Sequence, residues 1–429
     1  MGTALLTDRY ELTMIDAAMG SGMHDRECVF EVFTRRLPEG RRYGMVAGTG
    51  RLLDAIESFR FGDDELAFLR DNAVVRPDAI DWLADFRFRG QVWGYREGET
   101  FFPGSPLLVV EGSFAEAVLL ETIVLSVLNY DSAVASAAAR MVTAAEGRPL
   151  AEMGSRRANE RSAVAAARAA YIAGFSATSN LEAGRRWSVP TMGTAAHSFT
   201  LLHDSEEEAF AAQVAALGPG TTLLVDTYDI ATGVERAVAA AGTGLGAVRI
   251  DSGDLPVQVA AVRAQLDALG ATDTRITVTN DLDEFTIAAL RAAPVDSYGV
   301  GTSVVTGSGH PACGFVYKLV SHRDDAGAWI PVAKKSAAKA TVGGRKTPVR
   351  TIDRGVATAE TLYVEDSPRD HDGRPLQVAF IRDGEVDSRW RGPEGVALAR
   401  EHAATALAEL PADALRLGRG EPAIPTLYA

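Results

Sequence analysis

From about residue 173 to 303, short apolar or β-branched runs alternate with longer stretches whose apolar positions recur at helical spacing. The run 223–225 ends in Asp226-Thr227-Tyr228-Asp229 and precedes a helical stretch over 231–241. The run 247–250 ends in Asp251-Ser252-Gly253-Asp254 and leads to a helix over 256–269. Residues 276–278 end in Thr279-Asn280-Asp281 before a helix over 284–292, and 295–298 end in Gly299-Val300-Gly301-Thr302-Ser303. Upstream, 173–179 before a helix over 180–187, and 190–197 before one over 205–217, read the same way. A strand-to-strand spacing of roughly 20–35 residues calls for parallel strands joined by crossover helices. Six or more such units in series predict an α/β fold, an irregular TIM-like β/α barrel whose ligand groups collect at the C-terminal strand ends. An open doubly wound sheet is the alternative, and no Gly-rich dinucleotide fingerprint follows the first strand to support it.

The flanking segments lack that rhythm. Residues 64–71 read as helix, 88–95 and 106–111 as strands around a Phe102-Pro103-Gly104 turn, and 115–145 as a long Ala-rich helical stretch. Beyond Lys318 the repeat stops: 340–351 is basic and Gly-rich, 361–364 and 378–381 read as short strands, and 395–410 as a closing helix. The expected division is a discontinuous α+β domain from 1–128 with 330–429, and a barrel domain over 129–329.

Composition narrows the partners. The chain has 429 residues, 47% hydrophobic and 23% charged, the balance of a globular protein with two cores' worth of length. A formal charge of −14 argues against nucleic acid or an anionic membrane as the main partner, while leaving room for an anionic small ligand at local arginines. Cys28 and Cys313 are the only cysteines, so neither a disulfide framework nor a cysteine zinc site is expected. Asp8, Arg9 and Glu11 fall where a signal peptide would need an apolar core, Leu6 does not suit a myristoylation signal, and the apolar run 117–128 is short for a bilayer. A cytoplasmic protein is expected.

The strand ends carry the chemistry. They supply Asp226, Asp229, Asp251, Asp254, Asp281 and Asp283, each of which is either a helix N-cap or a ligand for Mg²⁺ or ribose hydroxyls. The 299–303 turn is either a plain tight turn or a phosphate cradle of glycine backbone with Thr302 and Ser303 hydroxyls. Arg249 and Asp251 share one face of their strand, so the guanidinium is either neutralised by Asp251 or receives a carboxylate ligand. Arg156 and Arg157, after Gly154, read as a surface pair or a diphosphate contact. His197 lies among small residues, either satisfied structurally or available for proton transfer or nucleophilic attack.

Several ordered blocks resemble the nicotinate phosphoribosyltransferase family along nearly the whole chain. They are residues 6–14 (LTDRYELTM), 30–33 with 36–38, Leu119-Leu120-Glu121-Thr122, Asn129-Tyr130, 193–198, 226–229, 249–254, 299–302 and 317–320. The resemblance implies condensation of nicotinate with 5-phosphoribosyl 1-pyrophosphate, giving nicotinate mononucleotide and pyrophosphate in NAD salvage, with ATP as co-substrate and Mg²⁺. It further implies that Tyr10 stacks on the pyridine, reaching into a neighbouring subunit of a homodimer with a shared active site. Thr194 and Arg249 would hold the nicotinate carboxylate, and Thr302 with the Gly299 and Gly301 backbone the 5-phosphate. Asp226 and Asp251 would contact ribose or Mg²⁺, with Asn280 and Asp281 also at the substrate, and Arg156 would approach phosphoryl oxygens. His197 matches the histidine that the family phosphorylates with ATP. Met153 departs from the pattern, since the family often has Phe on the far side of the ring; a thioether can still lie against an aromatic face. Ser179 aligns where related nicotinamide enzymes carry Asp, which favours the acid as substrate. A nicotinamide or quinolinate phosphoribosyltransferase, or an inactive ligand-sensing barrel, are the rival readings.

Overall fold

The structure, a computed structural model, describes residues 3–334, 341–364 and 369–429, which leaves Ala340 of the basic segment outside. Two compact units emerge: Met1–Ser136 with His310–Ala429, and Ala137–Gly309.

The first unit is built on a seven-stranded antiparallel sheet. Its strands run Trp329–Pro331, Phe315–Arg323, Glu27–Thr34, Leu108–Ser113, Gln91–Tyr95, Gln377–Arg382 and Glu385–Val386 across the sheet. Strand alternation assigns the two faces of Glu27–Thr34 to different surroundings. Cys28, Phe30 and Val32 enter the main apolar cluster, where Phe30 stacks on Tyr317 at 4.8 Å between ring centroids. Val29 packs on the other face with Val109 and Val320. Beside it the buried Glu31 is neutralised by Lys346 at 2.7 Å. A second buried polar group links Glu99 to Arg374 (2.6 Å) and His402 (2.8 Å), and Arg350 to Glu360 (2.8 Å).

The sequence boundaries at 128/129 and 329/330 differ from the observed changes of unit. Phe315–Arg323 pairs along its length with Glu27–Thr34, which ties this strand to the first unit. The 115–145 stretch divides into helices Phe114–Leu119 and Glu121–Ala145. The latter is long and apolar enough to cross a membrane by length and composition, but it is mostly buried, as a core helix is.

The second unit is a wholly parallel sheet with crossover helices. Its strands are β1 Leu150–Glu152, β2 Ala177–Thr178, β3 Thr222–Leu224, β4 Ala247–Ile250, β5 Arg275–Val278 and β6 Ser297–Val300. Their order across the sheet is β2-β1-β6-β5-β4-β3, and a parallel bridge from Thr178 to Thr191 extends it beyond β2. Helices Glu160–Ile172, Leu181–Trp187, Glu206–Leu217, Ile230–Ala241, Leu255–Ala268 and Glu284–Ala289 follow the strands. Several start on a side-chain cap: Asn180, Ser205, Asp229 and Asp283 each accept a first-turn N–H. The capping reading thus holds for Asp229 and Asp283, whereas Asp254 stands at its helix start without a side-chain cap bond.

The sheet curls. Residues from all six strands, together with Met153 and Met192, line one half-open cavity of about 240 Å³. Where bulky branched residues usually fill such an interior, these strands present Ala151, Ala177, Thr222, Ala247, Thr277 and Ser297. The 190–197 segment departs from expectation. Only Thr191 pairs as strand, and His197 opens helix His197–Leu202. The intervening Gly-Thr-Ala-Ala has no β-branched run to sustain a strand.

Candidate active site

β4 has the sequence Ala-Val-Arg-Ile, in which Val248 and Ile250 are fully buried and Arg249 points the other way. A guanidinium so placed needs acceptors, and it has them. Nε donates to Thr279 Oγ1 at 3.0 Å, and Nη1 to Thr194 Oγ1 at 2.6 Å and to the Ala195 carbonyl at 3.1 Å. Nη2 stands 3.5 Å from Asp251 Oδ2, a loose ion pair whose carboxylate side chain is 26% exposed. Thr279 in turn donates to Asp251 Oδ1. Asp251 therefore offsets the Arg249 charge without closing the fork around it, leaving room for a second anion at the strand end.

Asp226, one strand over, is used differently. Its side chain is 1% exposed and its Oδ1 lies 3.1 Å from His197 Nε2. Its Oδ2 accepts from the Asp251 N–H at 2.9 Å and the Ser252 hydroxyl at 2.6 Å. An ionised carboxylate only accepts, so a neutral imidazole in this pairing has its proton on Nε2 and a lone pair on Nδ1. The imidazole is 41% exposed, open to a ligand. An Asp–His pair of this geometry is able to orient an imidazole as a nucleophile or a proton carrier.

On the opposite side of the sheet order, β1 and β6 meet through the Met153 N–H and the Val300 carbonyl at 2.7 Å. A Cβ at Gly299 would fall 2.7 Å from the Met153 sulfur and from Thr279 Cγ2, so only glycine lets Met153 lie against this strand. Gly154 is equally constrained, because a Cβ there would run into the Val305 side chain and the Gly301 carbonyl. Ser179 follows β2 and donates its N–H to the Glu152 carbonyl at 2.8 Å.

Of the residues expected from sequence, Thr194, His197, Asp226, Arg249 and Asp251 form one hydrogen-bonded cluster, and Met153 touches Gly299. Ser179, Asn280, Asp281 and Gly301 stand on loops after β2, β5 and β6, Arg156 lies in the 3₁₀ turn Ser155–Arg157 after β1, and Thr302 opens helix Thr302–Val305 after β6; none of them makes a side-chain bond to that cluster. Asp281 is in left-handed backbone at φ 36° and is exposed. Sequence reasoning passes over Thr279, Ser252 and Glu152 as site residues. A signal for Thr279 exists, because it continues the alternation of β5 and stands level with Asp251. Tyr10 belongs to the first unit. There it is 46% exposed, and burial, then the Glu121 charge, push its phenol up from the ordinary range. Glu121 pairs loosely with Lys318 at 3.9 Å, while Glu11 accepts from the Thr122 N–H at 2.9 Å and hydroxyl at 2.6 Å. Burial lifts the Glu11 carboxyl to about 7. Three of the sequence blocks thus converge in this unit.

Among the described residues, no group of three or more His, Cys, Asp or Glu is placed to hold a metal ion. Both carboxylates have each oxygen engaged by protein, but the Asp251 side chain is 26% exposed against 1% for Asp226, so Asp251 is the more accessible one. A Mg²⁺ carried mainly by substrate phosphates and water fits such a site.

Comparison with known proteins decides the lineage. Residues 5–129 match the model of the nicotinate phosphoribosyltransferase N-terminal domain. The chain is 57% identical over 435 residues to a nicotinate phosphoribosyltransferase of Mycobacterium tuberculosis, covering 98% of this chain and 94% of that one. It belongs to the nicotinate phosphoribosyltransferase family. A Bacillus subtilis member is 37% identical, covering 84% of this chain and 76% of its own length. The crystal structure of human nicotinic acid phosphoribosyltransferase superposes with a TM-score of 0.83 at 26% identity, covering 99% and 97% of the two chains. Membership in the nicotinate phosphoribosyltransferase family covers both units, since these alignments run through the parallel sheet as well as the N-terminal segment.

Proposed function

We infer that this chain is an enzyme that condenses nicotinate with 5-phosphoribosyl 1-pyrophosphate, forming nicotinate mononucleotide and pyrophosphate, with ATP hydrolysed through His197. The observation that carries the reading is the Arg249 guanidinium, held by Thr194 and Thr279 but only loosely matched by Asp251. That is a socket for a small carboxylate. The finer architecture belongs to the same reading: the curled sheet is an irregular TIM-like barrel over roughly the second unit, with the α+β unit as its partner domain.

The nicotinate ring nitrogen is the nucleophile toward the anomeric carbon, and pyrophosphate leaves. Positive charge builds on the ribose, so the site's task is to position the ring and stabilise the departing anion rather than to abstract a proton. Arg249 and Thr194 hold the carboxylate; Met153 and Tyr10 of a second subunit flank the ring; Ser179 faces its substituent. Thr302 with the Gly299 and Gly301 backbone takes the 5-phosphate, Asn280 and Asp281 lie along the substrate, and Arg156 approaches the pyrophosphate. Asp251 would be the protein carboxylate that holds a Mg²⁺, which would supply charge neutralisation for the departing pyrophosphate. In the coupled step His197 Nδ1 attacks the γ-phosphorus of ATP, ADP departs, and Asp226 keeps the imidazolium proton on Nε2. Water then releases the phosphoryl group as inorganic phosphate after nucleotide formation. The enzyme works as a cytoplasmic homodimer with shared sites.

Product analysis tests this directly. Protein, Mg²⁺ and phosphoribosyl pyrophosphate are mixed with nicotinate, nicotinamide or quinolinate, each with and without ATP. Nicotinate mononucleotide formed fastest, and stimulated by ATP, is the expected result; a clear preference for nicotinamide or quinolinate overturns the assignment.

A further inference from the structure

The loops after β1 and β2 carry Met153 and Ser179, two of the residues assigned above to the pyridine, and they meet at a carboxylate that the reaction does not use. Glu152 ends β1 with 0% exposure. Its Oε1 accepts the Gly154 N–H at 2.5 Å and its Oε2 the Thr178 hydroxyl at 2.5 Å. Its own carbonyl accepts the Ser179 N–H at 2.8 Å. The connection continues through Thr178 Oγ1, which accepts the Asn180 N–H at 3.0 Å, and Asn180 Nδ2, which donates to Ser155 Oγ at 3.0 Å. The two loops are therefore joined twice, once at Glu152 and once at Ser155.

No Lys, Arg or His among the described residues pairs with Glu152, and burial pushes its carboxyl up from the ordinary range. Burying a carboxylate without a cation is costly for a fold. A glutamine of the same shape would remove the charge, but it offers one acceptor end and one donor end. One of the two donors, the Gly154 N–H or the Thr178 hydroxyl, would then face an NH₂ group. Only the carboxylate draws both loops inward together. Gly154 passes close to the Val305 side chain and the Gly301 carbonyl, with no space for a side chain of its own.

We propose that Glu152 is a positioning residue for pyridine recognition: by binding Gly154 and Thr178 at once it fixes the separation of Met153 and Ser179, and with it the slot that takes the ring. This rests on the reading of the chain as a nicotinate phosphoribosyltransferase.

The test compares the full-length parent with Glu152→Gln, Thr178→Val, Thr178→Ser and the Glu152→Gln/Thr178→Val pair. Parent turnover of nicotinate is measured first and reports on the assigned reaction alone. Nicotinate affinity by calorimetry, with KM, kcat and melting temperature, then reports on Glu152. Loss of a bond to a buried charge should weaken nicotinate binding and raise its KM about tenfold or more, with kcat changed less than about threefold. Thr178→Ser, which keeps the hydroxyl, should behave as the parent, and the double variant should be no worse than the poorer single one. Unchanged nicotinate affinity in Thr178→Val and Glu152→Gln overturns the proposal. So does a Thr178→Ser variant that is as impaired as Thr178→Val, or a loss of affinity that tracks melting temperature across the series. Should Glu152→Gln fail to fold, the Thr178 pair decides alone.

Discussion

Replacing Arg249 by alanine is the most direct probe of the carboxylate socket. The substitution removes the donors to Thr279, Thr194 and the Ala195 carbonyl and leaves Asp251 without its cation. Nicotinate would then bring its own carboxylate next to an uncompensated one. Deleting one partner of a buried, hydrogen-bonded charge pair costs about 2–5 kcal/mol. Asp251 retains 26% side-chain exposure, so water recovers part of that loss and the lower range applies. A loss of about 2–4 kcal/mol in transition-state stabilisation corresponds to a fall in kcat/KM for nicotinate of roughly 30- to 900-fold. Arg249→Lys should lie between, because an ammonium keeps the charge but cannot reach Thr279 and Thr194 together. Initial rates with nicotinate varied at saturating phosphoribosyl pyrophosphate measure it, and calorimetric melting confirms that the variant is folded. A folded Arg249→Ala variant within threefold of the parent would refute the reasoning.

Three further outcomes follow from the geometry. His197→Ala should abolish acid-labile phosphoryl incorporation from labelled ATP and the stimulation of synthesis by ATP, while leaving ATP-independent synthesis measurable; label that persists in the variant counts against Nδ1 as the acceptor. Ser179→Asp should lower kcat/KM for nicotinate by about tenfold or more through like-charge repulsion and lower it far less for nicotinamide, as competition assays with the two pyridines would register. In the first unit, burial would raise the Glu99 carboxyl, but the bonds from His402 and Arg374 and the Arg350 charge hold it below the ordinary range. A depressed native value stabilises above the unfolded pKa of about 4.3 and is lost as pH falls below it. Glu99→Gln should therefore melt well below the parent at pH 7, by about 3–5 kcal/mol, with the gap narrowing from about pH 5 to pH 3; a constant gap refutes the linkage.

The parallel sheet was legible because its strands are short apolar runs stopped by polar residues, which is also what places Asp226, Asp251 and Thr279 at their ends. Arg249 and Asp251 could be put on one face by counting alone. The use of each oxygen could not. That Asp226 spends both oxygens on His197, Asp251 and Ser252 depends on the distance between neighbouring strands, which no local pattern encodes. The run 190–197 reads as a strand, yet it pairs only at Thr191, because the residues that follow have little strand preference of their own. The 128/129 boundary followed a change in periodicity, yet Glu121–Ala145 runs on as one helix past the change of unit at Ser136. Glu152 escaped notice because a lone carboxylate after an apolar pair looks like a solvated strand end.

The alanines, serines and threonines facing the inside of the curled sheet leave a half-open hollow of about 240 Å³, where β/α barrels usually carry branched side chains. Exposed Ser176 and Arg275 stand on its lining, so it opens to solvent, and a side chain grown into it displaces water rather than protein atoms. Ala177→Val should accordingly be taken up with little loss of melting temperature, where the same change in a filled interior would clash.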